Sequence, residues 1–342
     1  IHHNKYDASN VESSFGNFKL NPYSDLGVLE YNTTVSYKLT KKMSFGLSLR
    51  AQSAQASFSQ GSISTANGLG GFGVSDGTPL AASNIELTDL EGFEYGSYQL
   101  GWQYIEKNWG IGFVYRSSVE FNVKGKSSGN ISYSTTGATL VNANSGGSIS
   151  PIAGQSYKLN GSNNASISTY LPEQFKIDSH YNNKKHTFFI GYALTKYSQN
   201  NKLEIKNADV TNSLTGDNIP VSDINTKWND LTDYKIAYQY ELNQKSLLRL
   251  GYTYSTAVTN KNFAGATFAT PSNYQHFAIG LGQYYNFNNK VLELNIALER
   301  YQSSGSGSTE EVDIDSNTKI LSVSGDYSSQ IDALMVGLTY NY

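Results

Sequence analysis

The sequence predicts an all-β fold, an antiparallel transmembrane β-barrel formed by a single domain over residues 1–342. Three observations predict it. Apolar and polar residues alternate in segments of about ten residues, and short polar turns alternate with long connections along the chain. In addition, no apolar run approaches the roughly 18 residues that a membrane-spanning helix needs. Because alternation places every second side chain on one face of a strand, one face can contact lipid while the other lines a polar interior.

The first two predicted strands show this alternation most clearly. The aromatic and branched residues of the first strand share one face: Tyr31, Thr33, Val35, Tyr37 and Leu39. Those of the second strand do the same: Phe45, Leu47, Leu49 and Ala51. Only the polar turn 40–42 separates the two strands, and similar tight turns recur along the chain at 106–108, 182–185, 243–245 and 288–290. Each such turn predicts an antiparallel hairpin.

The hairpins are joined by long connections rich in Gly, Ser, Asn and Thr, at roughly 58–93, 126–163, 200–226, 259–273 and 303–328. Strict alternation of short and long connections indicates short periplasmic turns on one rim and long extracellular loops on the other. The connections imply about eleven strands, an odd number that cannot close an all-antiparallel barrel. We therefore expect the barrel to be N-terminally incomplete, with strands missing upstream and residues 1–27 forming an extracellular loop.

Aromatic residues cluster beside the tight turns, where the periplasmic membrane interface would lie: Tyr37, Tyr104, Trp109, Tyr240, Tyr285 and Tyr342. An apolar ring with a polar edge suits this boundary, so these residues are predicted to form an interfacial girdle. The alternative is that they are ordinary strand aromatics.

Composition excludes several classes of function. Net charge is −3 with no basic block, which argues against a nucleic-acid partner. The chain has no cysteine, so thiolate chemistry and disulfides are absent. The 5 histidines accompany no catalytic motif and no paired metal-ligand spacing, so we expect neither an enzyme nor a metal or other cofactor. Residues 1–5 lack the pattern of a signal peptide.

Four stretches, in this order, resemble the FadL/TodX family of outer-membrane hydrophobic-compound transporters. They are Tyr37-Lys38-Leu39 with Met43-Ser44-Phe45-Gly46-Leu47, then Val114-Tyr115-Arg116-Ser117-Ser118-Val119, then Leu171-Pro172-Glu173, and finally Arg249-Leu250-Gly251-Tyr252 through Val258. The chain departs from the family pattern at Tyr197, where the family usually has Trp, and at Ala257, which replaces a proline. The resemblance covers nearly the whole chain.

The resemblance implies a monomeric barrel of about fourteen strands in the outer membrane of a Gram-negative bacterium, with an N-terminal hatch that this chain lacks. It implies transport of long-chain fatty acids or similar hydrophobic compounds by passive diffusion through a gated barrel. Its other implied partners are outer-membrane lipid, lipopolysaccharide and, during insertion, the barrel-assembly machinery. The alternatives are uptake of aromatic hydrocarbons and, from a different class, a structural or adhesive barrel.

Four basic residues are predicted to face the lumen and to bind ligand: Arg50, Arg116, Arg249 and Lys235. A fatty acid presents one carboxylate, which a cationic donor at the end of an apolar channel would recognise. The competing interpretation is that each arginine pairs with a lumenal carboxylate such as Glu120 or Glu299. A basic residue that the family would place near the top of the second strand is replaced by Gln55.

The loops at about 58–93 and 126–163 resemble, by position, the two loops that form the family's extracellular hydrophobic groove. They contain apolar residues in otherwise polar surroundings, and six are predicted to line the groove: Leu69, Phe72, Val74, Leu140, Val141 and Ile152. The alternative is that these side chains pack beneath their own loops.

Overall fold

A computed structural model describes residues 2–7, 23–65, 79–133, 139–142, 148–151, 155–214, 216–264, 269–287, 290–307 and 325–341. The strands within these ranges are β1 (His2–Asp7), β2 (Tyr23–Lys38), β3 (Met43–Thr65), β4 (Pro79–Ile105), β5 (Trp109–Arg116), β6 (Val119–Tyr133), β7 (Thr139–Asn142), β8 (Ser148–Pro151), β9 (Ser156–Asn160), β10 (Ala165–Leu171), β11 (Gln174–Asn183), β12 (His186–Thr195), β13 (Lys202–Lys206), β14 (Val210–Asn212), β15 (Asn218–Ile219), β16 (Ile224–Asn225), β17 (Leu231–Asn243), β18 (Ser246–Ser255), β19 (Tyr274–Phe287), β20 (Lys290–Gly307) and β21 (Gly325–Asn341). Within the same ranges, two short 3₁₀ helices span Tyr197–Asn200 and Lys261–Phe263. None of the helices in the described ranges has the length and apolar character needed to span a bilayer.

Eleven of these strands pair in chain order as one antiparallel meander, which we call the wall: β2, β3, β4, β5, β11, β12, β17, β18, β19, β20 and β21. They coincide with the predicted strands, so the predicted all-β antiparallel barrel class is confirmed. Within the described ranges, β21 pairs only with β20.

The wall has two unlike faces. Large apolar side chains at alternate positions are exposed on one of them, for example Val35 and Leu338 at 69% and 68%. We call this the outer face and the opposite one the inner face. A contiguous apolar surface of this extent is unstable in water but is what the hydrocarbon of a membrane requires.

Tight turns join the wall strands at one end, the turn end. In the first two, Lys42 Nζ lies 2.5 Å from Glu106 Oε1, and Tyr104 donates a hydrogen bond of 2.7 Å to the same carboxylate. The hydrogen bond from Lys42 lowers the pKa of Glu106, and the same bond raises the pKa of Lys42. Tyr104 also packs against Trp109 with ring centroids 5.4 Å apart. The predicted turn residues 288–289 and the girdle residue Tyr342 lie outside the described residues.

The other end of the wall, the loop end, differs from the predicted irregular loops. The strands β3 and β4 continue past the wall and pair as far as Thr65 with Pro79, so much of the predicted loop 58–93 is strand. Similarly, β6 extends to Tyr133 and pairs with β9, inside the predicted loop 126–163. Residues 2–7 pair with 23–28, so part of the predicted N-terminal loop is also strand. Their Ser- and Asn-rich composition is typical of loops, which is why composition alone places them wrongly.

Two apolar clusters fill the interior of this loop-end sheet. The larger cluster has as its buried members Val28, Ala54, Leu87, Leu90, Val119, Phe121, Val123, Ala165, Ile167, Ile205 and Ala208. We call it the loop-end core. The second contains Ala81, Ile85, Ile131, Tyr133, Leu159 and Val210. Phe121 and Leu90 are 1% and 0% exposed, so the core is tightly closed around them.

The apolar side of the chain changes face between the wall and the loop-end core. In β5, Phe113 is exposed on the outer face, whereas in β6 the apolar Val119 and Phe121 are buried on the inner side. The partner strands β10 and β11 change face at the same level, and pairing continues in register from Arg116–Gln174 to Val119–Leu171. The inversion therefore occurs at 117–118 and 172–173.

This inversion corrects one sequence-based expectation. Constant alternation from Arg116 predicts that Glu120 and Lys124 face the lumen, but both are exposed on the outer side of β6. Neither can therefore be the lumenal partner of an arginine.

Candidate functional site

Arg50 and Arg116 meet at one carboxylate on the inner face. Arg50 Nη2 lies 2.6 Å from Oε2 of Glu30, and Arg116 donates a short hydrogen bond to the same oxygen. Arg50 also donates to the carbonyl oxygen of Ser117 at 3.4 Å. The side chain of Arg50 is only 1% exposed, against 28% for Arg116. Two guanidinium groups thus share one carboxylate, which leaves the group with a net positive charge.

Polar side chains beside this group hold it in place. Gln52 is fully buried and donates to Ser97 Oγ at 2.8 Å and to Glu30 Oε2 at 3.4 Å. A β-bulge at Gly96, whose φ is +90°, places Ser97 opposite Arg50. Glycine suits this backbone conformation because it has no Cβ.

A second basic group lies on the inner face of β11 and β17. Lys176 is half-buried and within electrostatic range of Lys235 and Arg116, as well as of Asp178 and Asp233. Lys235 Nζ is 3.9 Å from Asp233 Oδ2, but among the described residues Lys176 has no ion-pair partner within 4.0 Å. We call Arg50, Arg116, Lys176 and Lys235 with their carboxylates the basic cluster.

Small residues on β12 allow these long side chains to meet. Gly191 pairs with Asp178 on one side and with Lys235 on the other. A Cβ at this position would collide with Oδ1 of Asp178, so glycine leaves the space that Asp178 occupies. The neighbouring inner-face residue is Ala193, which is buried.

Arg249 lies apart from the basic cluster. Its guanidinium donates to Gln239 at 2.9 Å, lies 3.4 Å from Glu293 Oε1 and forms a short hydrogen bond to Asn295. To reach Glu293 and Asn295 on β20, the side chain of Arg249 crosses β19 at Gly282. A Cβ at Gly282 would lie 3.4 Å from Arg249 Nη1, so glycine leaves room for the guanidinium group. Lys235 pairs with Thr253 on β18. Arg249 lies on the same strand, four residues from Thr253 toward the turn end, so Arg249 and Lys235 are about 13 Å apart along the strands.

The four predicted ligand residues Arg50, Arg116, Lys235 and Arg249 thus all lie on the inner face, but in two groups. The carboxylate partners of the three arginines are Glu30 and Glu293 in place of the expected Glu120 and Glu299, and Lys235 lies nearest to Asp233. Glu299 instead lies 3.3 Å from His276 Nε2. Sequence reasoning missed Lys176, although the apolar Phe175 and Ile177 on either side of it already place it on the inner face.

The basic cluster lies directly beneath the loop-end core. Val28 is two residues along β2 from Glu30, and Ala54 is two residues along β3 from Gln52, a step of about 7 Å in each strand. Both are buried members of that core. An apolar region and a cationic region therefore adjoin each other on the inner side of the wall.

The predicted hydrophobic groove falls largely outside the described part of the chain. Leu69, Phe72, Val74 and Ile152 lie outside the described residues. The backbones of Leu140 and Val141 belong to β7, which pairs with β8, but their side chains are outside the description too. The groove stays a prediction.

An antiparallel wall with an apolar outer face and a charged inner face defines an outer-membrane β-barrel protein. Residues 3–342 match the sequence profile of the family described as "Outer membrane protein transport protein (OMPP1/FadL/TodX)", and the chain belongs to that family. It is therefore an outer-membrane transporter of hydrophobic compounds and not an enzyme. Membership of this family also decides against the structural or adhesive barrel. No curated protein sequence matches the chain.

Solved structures share the fold. A FadL homologue from Pseudomonas aeruginosa aligns with a TM-score of 0.63 and 14% identity, over 94% of this chain and 68% of that one. The Pseudomonas putida toluene transporter TodX aligns with a TM-score of 0.59 and 15% identity, over 98% and 73%. The Ralstonia pickettii toluene transporter TbuX aligns with a TM-score of 0.52 and 14% identity, over 94% and 69%. At these identities the likeness concerns the fold alone.

Proposed function

We propose that this chain transports long-chain fatty acids, or similar hydrophobic compounds with one anionic end, by passive diffusion across the outer membrane. One observation carries the proposal: the basic cluster adjoins the loop-end core. A fatty acid has the same two parts, a carboxylate and a hydrocarbon tail, in the same order.

Within the cluster, Lys176 and Lys235 are the groups that would meet the carboxylate. Lys176 has no ion-pair partner of its own among the described residues, and Lys235 is only loosely paired with Asp233 at 3.9 Å. Arg50, by contrast, is buried and committed to Glu30. Arg50 therefore orders the site, while the two lysines remain available to bind a ligand.

The tail would pack against apolar side chains of the loop-end core. Leu26 and Leu171 are partly buried and contact that core. Arg249, about 13 Å nearer the turn end, offers a second cationic contact along the path. Successive weak sites suit passive transport, because each must bind the substrate well enough to admit it and weakly enough to release it.

Aromatic hydrocarbons are the second candidate substrate. The structural likeness to proteins named as toluene transporters is consistent with this candidate, although it concerns the fold alone. The observation on this chain that favours it is the shared carboxylate: Glu30 already neutralises part of the charge of two guanidinium groups. A neutral aromatic ring has no charge to pair with a cation, so the apolar side chains of the loop-end core would suffice to bind it.

Uptake of labelled oleate and labelled toluene tests the proposal, in cells that lack their own fatty-acid transporter and express the complete gene. We expect Lys176→Met with Lys235→Met to lower oleate uptake by about tenfold, because a charge-assisted contact of about 1.4 kcal/mol is lost. Toluene uptake should not change. The matched control is Lys124→Met, which removes an exposed lysine from the outer side of β6 and should leave both unchanged.

The single variants Arg116→Ala and Arg249→Ala test two further positions along the proposed path of the fatty acid. Each should lower oleate uptake by a smaller factor than the double lysine variant does. A protein that inserts normally but carries oleate only at the background rate would contradict the fatty-acid proposal. Toluene uptake under the same conditions would then establish the second candidate.

A further inference from the structure

The outer face of β18–β21 changes in polarity over three successive cross-strand rows toward the loop end. The first row is wholly apolar: Leu250, Ile279, Leu298 and Leu334. The second row is mixed: Tyr252, Phe277, Arg300 and Asp332. The third row carries three amides and a phenol: Tyr254, Gln275, Gln302 and Gln330. Adjacent rows are about 7 Å apart, so the change from hydrocarbon to polar chemistry takes about 14 Å.

The third row forms part of a depression of about 760 Å³. Asn273, Ser304 and Ser328 also line it, and none of the described residues that line it is charged. Gln302 donates to Gln275 at 3.4 Å, and Asn273 donates to the hydroxyl of Tyr254 at 2.6 Å. These bonds fix the side chains yet leave further amide donors and acceptors unused among the described residues.

The two charged residues of the second row form an ion pair, and Asp332 also accepts a hydrogen bond of 2.9 Å from one N–H of the Gln330 amide. Arg300 binds Asp332 through two hydrogen bonds of 2.6 and 3.2 Å. Its guanidinium is therefore engaged, which disfavours a phosphate as the main contact at this place. Amides, hydroxyls and an aromatic ring in an uncharged depression match the neutral hydroxyl groups of a sugar.

We propose that this depression binds the sugar headgroup of a glycolipid in the outer leaflet of the membrane. The amides of Gln275, Gln302 and Gln330 pair with sugar hydroxyls, and the acyl chains lie against the apolar row two steps below. The position of the depression carries the choice of ligand, because it lies on the outer side of the strands about 14 Å above the wholly apolar row.

The test uses the folded protein in phosphatidylcholine nanodiscs and measures binding of a labelled short-core lipopolysaccharide. We expect the triple variant Gln275→Leu, Gln302→Leu and Gln330→Leu to weaken binding at least about tenfold, since several hydrogen bonds of about 1 kcal/mol each are lost. The matched control Gln55→Leu changes an exposed outer-face glutamine on β3 and should bind as the unmodified protein does. Oleate uptake should stay unchanged in both variants.

Phosphatidylglycerol, an anionic lipid without sugar, is the competing ligand. It should fail to displace the lipopolysaccharide; equal competition would overturn the proposal and indicate acyl-chain contact only. Unchanged binding by the triple variant would overturn it as well. If that variant does not fold, the single variants Tyr254→Phe and Gln302→Ala are measured instead. Each should weaken lipopolysaccharide binding about threefold. Unchanged binding by either single variant would contradict the proposal.

Discussion

The wall and the loop-end sheet place their apolar side chains on opposite sides. In the wall, residues such as Phe113 point outward to lipid, and the inner face carries charge. In the loop-end sheet, Phe121 and its neighbours point inward, and Glu120 and Lys124 point outward to water. The wall pair β5–β11 continues into the loop-end pair β6–β10 without a change of register. The face that carries the apolar side chains thus follows the surrounding medium. The two junction residues between the strands of each segment, 117–118 and 172–173, suffice to exchange it.

Phe121→Lys is expected to have the largest effect on this arrangement. Because the Phe121 side chain is buried in the loop-end core, the substitution places a charged group in an apolar interior. Burying an unpaired charge there should cost more than about 5 kcal/mol of folding free energy. Protection of residues 119–133 from protease in folded, lipid-embedded protein measures it. The matched control is Asn122→Lys, which adds the same charge at an exposed position of β6 and should cost less than about 0.5 kcal/mol; equal behaviour of the two variants would show that Phe121 does not face the core.

Two phenylalanine substitutions compare the regions directly. Phe121→Ala leaves a cavity in the loop-end core and should lower the free energy of unfolding by about 3–5 kcal/mol. Phe113→Ala should cost only about 1–2 kcal/mol, because lipid chains fill the vacated space and the transfer contribution alone is lost. Urea unfolding in lipid vesicles measures both. A larger cost for Phe113 than for Phe121 would reverse our assignment of which region is packed by protein.

The smallest expected effect lies where the chain returns to the wall. Lys196 Nζ is 2.9 Å from Asp230 Oδ2, and the backbone N–H of Ser198 donates to Asp230 Oδ1 at 3.1 Å. Burial alone would raise the pKa of Asp230, but the hydrogen bonds from Ser198 and Lys196 outweigh it and hold the pKa below the ordinary 3.8. A depressed pKa in the folded state stabilises the protein above the unfolded value and is lost as pH falls through the folded one.

After correction for the intrinsic exchange rate, the amide hydrogens of residues 197–230 should therefore be less protected at pH 3 than at pH 7. The difference should correspond to at most about 1 kcal/mol, since the side chains of Lys196 and Asp230 are both partly exposed. Asp230→Asn should remove this pH dependence. Its persistence in the variant would assign the effect to another group.

The wall was predictable from sequence and the loop end was not. Lipid imposes strict alternation on every wall strand, so residues such as Val35 and Leu47 reveal the strands locally. The loop-end core gathers Leu90, Phe121 and Ile205 from three separate polar stretches, and no local window contains that pattern. The surroundings of the strands change from lipid to water between the wall and the loop-end sheet, but no local residue pattern shows where this change occurs.

The candidate site shows the same division. Alternation places Arg50, Arg116, Lys235 and Arg249 on the inner face, because it depends only on neighbours along a strand. The partner of Arg50 and Arg116 is Glu30, which is 20 and 86 residues away from them in the chain. Pairing at that distance depends on strand register, and the exclusion of Glu120 as a partner depends on the inversion at 117–118. A single sequence specifies neither.

The loop-end core also sets an order of events during assembly. Each hairpin of the wall joins neighbours in the chain and can be completed as it enters the bilayer. The core, however, joins Val28 to Ala208 and draws on six strands: β2, β3, β4, β6, β10 and β13. It cannot close until that whole stretch has crossed to the far side of the membrane. Folding should therefore begin in lipid with local contacts and finish outside it with distant ones, and the last contacts to form are those directly above the basic cluster.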